Sequence, residues 1–298
     1  MKKIYFVLSV VLVLASCKKE AEVGYTPSYE EQAIDLPGVS NARQLGGYVI
    51  GDRKVRNDVL IRSGALAGAS DDALATLHDK YKVAMVTDFR TSLERGSAPD
   101  RVVEGAQNIW LPVLEKLYQS QSSTAIESFH KNRNNLQLTL ELLRMPEAQH
   151  SLREIYSVIV FDEDNQNKYA VFLDSLVALP DGRAALWHCS HGKDRCGWGT
   201  AFVLAALGAD RSLIVDDFVM SNVPYSQDIQ ELLSFVREQG LEEELGDYVY
   251  LLRGVSKKVF EETLDEIDVR FGSLDNYLER ALDLTPAEKQ TLRTKFLQ

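Results

Sequence analysis

Cysteine is scarce in this chain, with three in 298 residues, at Cys17, Cys189 and Cys196. So few exclude the disulfide framework that holds small exported domains together. Positive charge is also in deficit, with 33 lysines and arginines against 44 aspartates and glutamates and a net charge of −11. A dedicated nucleic-acid binder carries a basic face or stripe, so nucleic acid is not expected as a partner. A local positive pocket for a phosphate remains compatible with that balance. From Ile34 onward there is no Pro/Gly/Ser-rich linker, no internal repeat and no low-complexity tract, which makes one domain over residues 34–298 the simplest organisation. The apolar stretch at residues 4–14 is too short to span a bilayer.

That stretch follows Lys2 and Lys3, giving the basic and apolar regions of a secretory signal. Leu14-Ala15-Ser16-Cys17 then resembles the lipobox of bacterial lipoproteins, in which the cysteine becomes the lipidated first residue. The resemblance implies a signal peptide over residues 1–16, lipidation of Cys17 and a polar tether over 17–33. It implies attachment through the lipid to the bacterial cell envelope, at the periplasmic face or the outer membrane. The alternative is an ordinary cleaved signal with Cys17 incidental.

The remaining chain alternates short apolar runs with helical patterns. Residues 59–62, 83–88, 109–113 and 184–189 read as buried strands, each bounded by polar or turn residues. Residues 71–81 carry Leu74, Leu77 and Tyr81 at helical spacing behind Ser70 as N-cap. Residues 198–207 form an almost wholly apolar helix, which implies burial. The last 80 or so residues are helical in pattern, with Pro286 opening a helix behind Thr285. The alternation predicts an α/β fold, a central mostly parallel sheet flanked by helices, with a helical C-terminus. Residues 114–143 are longer than a simple crossover requires, and read as a helical insertion that is either a lid over the active end or a plain surface excursion.

The chemistry concentrates in His188-Cys189-Ser190-His191-Gly192-Lys193-Asp194-Arg195. A strand, a tight loop and an apolar helix succeed one another there, and such a loop turns successive backbone N–H groups toward one point at a helix N-terminus. A phosphate monoester fits that cradle. Cys189 lies at its base, where the helix dipole and the guanidinium of Arg195 favour the thiolate, the nucleophilic form. Arg195 can bind two phosphate oxygens through its planar fork, which lysine cannot do. Ser190, His191, Gly192, Lys193 and Arg195 are therefore the substrate-binding candidates.

Other readings of the loop fail on spacing. A nucleotide P-loop needs Gly where Trp187 stands and Ser or Thr where Asp194 stands. A metal site from His188, Cys189, His191 and Cys196 lacks the paired spacing of such sites, so neither a metal nor an organic cofactor is expected. A phosphoester-binding module that has lost turnover stays open as an alternative from another class.

The C-x5-R spacing after His188 resembles the signature of the protein tyrosine phosphatase superfamily, and the Gly-Lys-Asp-Arg completion resembles its bacterial branch of tyrosine and dual-specificity phosphatases. Further segments are similar to that branch. They are Asn41-Ala42-Arg43-Gln44-Leu45-Gly46-Gly47, Leu60-Ile61-Arg62-Ser63-Gly64, Val86-Thr87-Asp88-Phe89-Arg90 with Glu94, and Phe271-Gly272-Ser273 through Tyr277-Leu278. The resemblance implies hydrolysis of phosphate monoesters, foremost protein phosphotyrosine, through a phosphocysteine intermediate. Phosphoserine/threonine or phosphoinositides are the alternative substrates, so the partner is a phosphorylated protein or lipid. It also implies a general acid, for which Asp88 and Asp194 compete, with Asp88 alternatively a partner for Arg62 or Arg90. His188 is expected to hydrogen-bond the loop. Lys193 is either a solvated loop charge or a second phosphate contact. The family usually has Thr or Ser after the arginine, where this chain has Cys196. A thiol is a weaker donor, which would slow breakdown of the intermediate; alternatively Cys196 protects Cys189 through a reversible disulfide. Nothing in the sequence sets the oligomeric state.

Overall fold

The computed structural model describes residues 26–119 and 134–298. The signal region, Cys17 and the middle of the 114–143 insertion lie outside the described residues.

The chain supplies strands β1 (Arg43–Gln44), β2 (Val49–Ile50), β3 (Arg53–Lys54), β4 (Leu60–Ser63), β5 (Val83–Asp88), β6 (Gln107–Trp110) and β7 (Ala184–His188). Five of them form one sheet in the order β1-β4-β7-β5-β6, while β2 and β3 pair as a separate ribbon. β1 is antiparallel to β4, and the other three pairings are parallel. The mostly parallel sheet flanked by helices is the architecture that the strand and helix alternation predicts.

β7 is central because its sequence suits burial on both faces. Ala185 and Trp187 point into the larger core, while Ala184 and Leu186 point into the smaller one on the opposite face. The helices Pro146–Phe161, Glu163–Ala178 and Asp194–Leu207 contribute to the larger core. The smaller core is closed by residues such as Leu36, Leu66, Leu77 and Val103. In register, Ser63 and Asp88 flank His188, and Trp110 lies beyond Asp88. The C-terminal ends of the parallel strands therefore finish along one edge, where ligands of such sheets bind.

The apolar helix expected at 198–207 is the body of a longer one, Asp194–Leu207. All but two of its 14 residues are buried, and Gly208 stops it at φ +95°. Ser70 caps as expected, its hydroxyl accepting the Ala73 N–H, but the helix Asp71–Ala75 then widens into a π-turn over Thr76–Lys80. The final helix Pro286–Phe296 opens with a capping box between Thr285 and Glu288.

Two boundaries differ from the sequence reading. The strand expected at 109–113 is Gln107–Trp110: an edge strand with little burial has no apolar run to mark its start. Leu111 and Val113 lie past its end, where their N–H groups still bond Asp88 O (2.9 Å) and Phe89 O (3.2 Å). The tether expected through residue 33 ends earlier. Ser28 caps the short helix Tyr29–Gln32, buried Gln32 donates to Gly46 O at 2.7 Å, and Ala33 bridges to Arg43. Within the insertion, the described ends are the helices Glu115–Gln119 and Leu136–Leu143.

Candidate active site

The loop leaving β7 is shaped by what its carbonyls bind. Ser190 O accepts from Ala65 N–H (3.3 Å) and His191 O from the Tyr225 hydroxyl (2.6 Å). Gly192 O accepts from Asn41 Nδ2 (2.8 Å) and Arg62 Nη2 (2.9 Å), and Lys193 O from Arg62 Nη2 (3.3 Å) and Gly197 N–H (2.8 Å). In a trans peptide the following N–H points the opposite way. With the carbonyls of residues 190–193 drawn outward, the N–H groups of 191–194 turn to the inner face of the loop. They meet the N-terminus of the helix Asp194–Leu207, which no side chain caps. Backbone amides and helix dipole thus converge on one anion-sized point.

Gly192 is required for this turn. Its φ is +65°, and a Cβ there would fall 2.5 Å from both the carbonyl carbon and oxygen of Ser63.

Behind the loop stands a buried charge cluster that no local spacing announced. Arg43, Arg62 and Asp217 are almost completely buried. Asp217 pairs with Arg62 and accepts from Tyr48 OH (2.8 Å), while Arg43 Nη1 donates to Asn41 Oδ1 (2.6 Å). Burial opposes ionisation of Asp217, but the two guanidiniums hold its carboxyl below the ordinary value. The segments resembling family elements at Asn41–Arg43 and around Arg62 therefore meet at the outer face of the loop and hold its carbonyls.

Cys189 is 2% exposed and Arg195 6%. The Arg195 fork closes on Glu94 with two contacts of 2.6 Å, Nη1 to Oε2 and Nη2 to Oε1. Ser190 Oγ also donates to Glu94 Oε1 at 2.5 Å. Glu94 sits at the third position of the helix Ser92–Ser97, where it completes a capping box with Thr91. Burial works against its charge, yet Arg195, Ser190 and the Thr91 N–H together hold its carboxyl far below the ordinary value. The sequence reading quoted Glu94 but gave it no role; the structure makes it the brace of Arg195.

The two candidate acids occupy different settings. Asp88 ends β5 and takes three bonds from Arg90, from its N–H (2.9 Å), Nε (3.0 Å) and Nη2 (2.9 Å). Asp194 begins the helix at the loop itself, held by the Tyr156 hydroxyl (3.1 Å) and Lys193 Nζ (3.2 Å). Burial and then the Asp194 charge push the Tyr156 phenol well above its ordinary value, so it stays a donor.

Lys193 is not the solvated loop charge of one reading. It is 7% exposed, and its ammonium donates to Gly254 O (2.6 Å) and Leu251 O (3.3 Å) just beyond and within the helix Glu242–Arg253. His188 is fully buried, with Nε2 3.2 Å from Asp100 and Nδ1 3.8 Å from Asp88. Neither contact has hydrogen-bond geometry, and neither ring nitrogen makes the expected hydrogen bond to the loop. Asp88, Asp100 and His188 are metal-ligand types within 4.8 Å of one another, but Arg90 pairs with both carboxylates and already supplies the cation. Cys189 and Cys196 are both free thiols. The Cys196 thiol donates to Trp187 O (3.4 Å), and burial pushes its pKa up to about 12.

Tyr118 was not singled out by the sequence. It comes from the helix Glu115–Gln119 at the start of the insertion, and its phenol feels the charges of Arg195, Glu94, Asp194 and Cys189, with burial raising it first of all. That end of the insertion thus lies near the loop.

The comparisons with known proteins agree with this geometry. The model of the tyrosine phosphatase family matches residues 34–298. A Cupriavidus necator protein that carries the name of a tyrosine-protein phosphatase is 30% identical over 256 residues, 84% of each chain. The triple specificity protein phosphatase PtpB of Mycobacterium tuberculosis is 30% identical over 266 residues, 83% of this chain and 93% of its own. With a cysteine and an arginine framing an inward-facing amide loop, and matches that run through the whole domain, the chain belongs to the tyrosine phosphatase family and is a protein phosphatase.

Proposed function

We propose that the enzyme hydrolyses protein phosphotyrosine through a phosphocysteine intermediate. The observation that carries this is the outward binding of four successive loop carbonyls, which leaves their neighbouring amides aimed at one anion beside Cys189. The phosphoryl oxygens take those amides and the Arg195 N–H groups that Glu94 leaves open, and Glu94 fixes the plane of the guanidinium. The Cys189 thiolate attacks phosphorus as the P–O bond to tyrosine breaks, and Asp194 gives the departing oxygen its proton. Water then attacks phosphorus, Asp194 takes a proton from it, and the S–P bond breaks to return the thiolate and release phosphate.

Asp194 is assigned the proton because it stands on the loop itself, whereas Asp88 ends β5 and takes three bonds from Arg90. Asp88 instead holds Arg90 at the strand end. Loop N–H groups, Arg195 and the Ser190–Glu94 contact form the phosphate site, with Lys193 anchoring the loop to the helix behind it. A panel of phosphotyrosine, phosphoserine and phosphothreonine peptides and phosphoinositides, assayed on reduced enzyme, tests the substrate class. Preference for phosphotyrosine is expected, and a phosphoinositide turned over faster than any peptide would overturn that assignment.

We further propose that lipid on Cys17 holds the enzyme to the bacterial cell envelope. Lys2 and Lys3, the apolar residues 4–14 and the Leu14-Ala15-Ser16-Cys17 sequence support the anchor. Among the described residues no helix is long and apolar enough to cross a membrane. Palmitate labelling and membrane fractionation of wild type beside Cys17→Ala test this, with label and membrane association expected only in the wild type.

A further inference from the structure

Trp110 and Arg95 form an exposed plate on the rim of the site that the catalytic account does not use. Trp110 ends β6 and is 41% exposed, an unusual display for so large an aromatic. It does not hang free, because its indole N–H donates to Arg90 O at 2.9 Å. The Arg95 guanidinium lies over the ring, 5.1 Å from its centroid, with its side chain 48% exposed. The indole bond and the stacking fix both groups before any ligand arrives, which lowers the ordering cost of binding.

Arg95 has no structural charge to satisfy that another residue does not satisfy better. Among the described residues its one carboxylate contact is Asp88 at 4.0 Å, the limit of an ion pair, and Asp88 already takes three bonds from Arg90. The plate is also in the right place. Trp110 is paired with Asp88, and Asp88 with His188, the residue before Cys189. Two strand spacings separate the plate from the base of the loop along the same sheet edge, roughly 10 Å. A phosphotyrosine seated over Cys189 keeps its own backbone above the loop, and each neighbouring residue is a further 3.8 Å or so along the chain. The residues flanking the phosphotyrosine are therefore within reach of this rim. Tryptophan and arginine are also the side chains that most often anchor recognised segments.

We propose that the Arg95–Trp110 plate is a substrate-recognition site that selects phosphotyrosine flanked by an acidic residue. The carboxylate pairs with Arg95 and the adjoining chain packs on the indole. Arg95 and Trp110 are specificity residues, and neither touches the reacting atoms. The inference rests on the phosphotyrosine assignment above.

The test compares three phosphotyrosyl peptides that differ only in the flanking position, Glu, Ala or Lys, with para-nitrophenyl phosphate, which has no flanking chain. In wild type, kcat/KM is expected to fall in the order Glu, Ala, Lys. Arg95→Ala should lose about ten-fold on the Glu peptide, chiefly in KM, while leaving para-nitrophenyl phosphate within two-fold. Arg95→Glu should invert the order, and Trp110→Phe should keep it. Binding of the Glu peptide to Cys189→Ser with and without Arg95→Ala reads recognition without turnover, so a fault in the catalytic assignment is separated from a fault in this one. A ten-fold weaker Kd is expected. Equal losses on para-nitrophenyl phosphate and peptides, or an unchanged Glu-peptide Kd in the Arg95→Ala pair, would overturn the proposal.

Discussion

Arg195 meets its brace before it meets substrate. Glu94 occupies both arms of the fork and also takes the Ser190 hydroxyl, so a single carboxylate sets the planes of two loop residues. That carboxyl is held far below its ordinary value, which gives its contribution a sign. It stabilises the fold fully above the unfolded-chain value of about 4.5 and loses that contribution as pH falls through the depressed folded value. Wild type should therefore lose Tm steeply below about pH 4.5. Glu94→Gln should be less stable at neutral pH and flatter over the same acid range, which thermal melts from pH 3 to 7 would read. A slope as steep as that of wild type would contradict this. The two acids divide in the same way. Asp194→Asn should lower kcat on phosphotyrosine peptides by about 10²–10⁴-fold, the usual worth of general acid catalysis, and by less on para-nitrophenyl phosphate, whose leaving group needs a proton less. Asp88→Asn should cost stability through Arg90 more than it costs kcat. At this scale the local spacing of Cys189 and Arg195 made them candidates in the sequence. Arg43 was quoted only within a family-like segment without a role, and Asp217 and Tyr118 were not singled out, because they come from segments far apart in the chain and only packing brings them together.

The loop and its two neighbours behave as one element. β7 was legible because burial on both faces leaves an uninterrupted apolar run, whereas the edge strand β6 begins in exposed Gln107 and Asn108, two residues before its expected start. The loop's shape was legible only in part. Gly192 announces a special turn, but that its Cβ would strike the Ser63 carbonyl depends on β4 lying alongside. Gly192→Ala should destabilise the enzyme by about 1–3 kcal/mol, as positive φ for a side-chain-bearing residue does, and should reduce turnover more than a comparable loss of stability elsewhere. Urea melts beside kcat measurements check this, and a variant of wild-type stability and activity would contradict it. Lys193 shows the limit of reading a loop alone. Its charge looked free for solvent or phosphate until the C-terminal end of the helix Glu242–Arg253 proved to receive it.

The C-terminal helices belong to the catalytic domain. Phe296 and Leu297 are buried, Leu297 bridges to Val55, and Gln298 exchanges two backbone bonds with Lys54. Arg293 Nε reaches Ala206 O in the helix that begins at the catalytic loop. Removing residues 286–298 exposes the partners of Leu292, Phe296 and Leu297, each worth about 1.5–3 kcal/mol when buried. Their sum approaches the whole stability of an ordinary domain, about 5–15 kcal/mol. The truncated protein should not fold cooperatively; a sharp melt within a few degrees of wild type would contradict that. At this scale the alternation of elements and the family segments made the architecture legible in the sequence, while helix-to-sheet docking depends on contacts that no local pattern records.

The central claim is that phosphorus passes through the sulphur of Cys189. Reduced enzyme mixed with phosphorus-labelled phosphotyrosine peptide and quenched in acid within milliseconds should carry label on the peptide fragment containing Cys189. Cys189→Ser should carry none and should not turn over. Label on another residue, or turnover surviving in Cys189→Ser, would contradict the account.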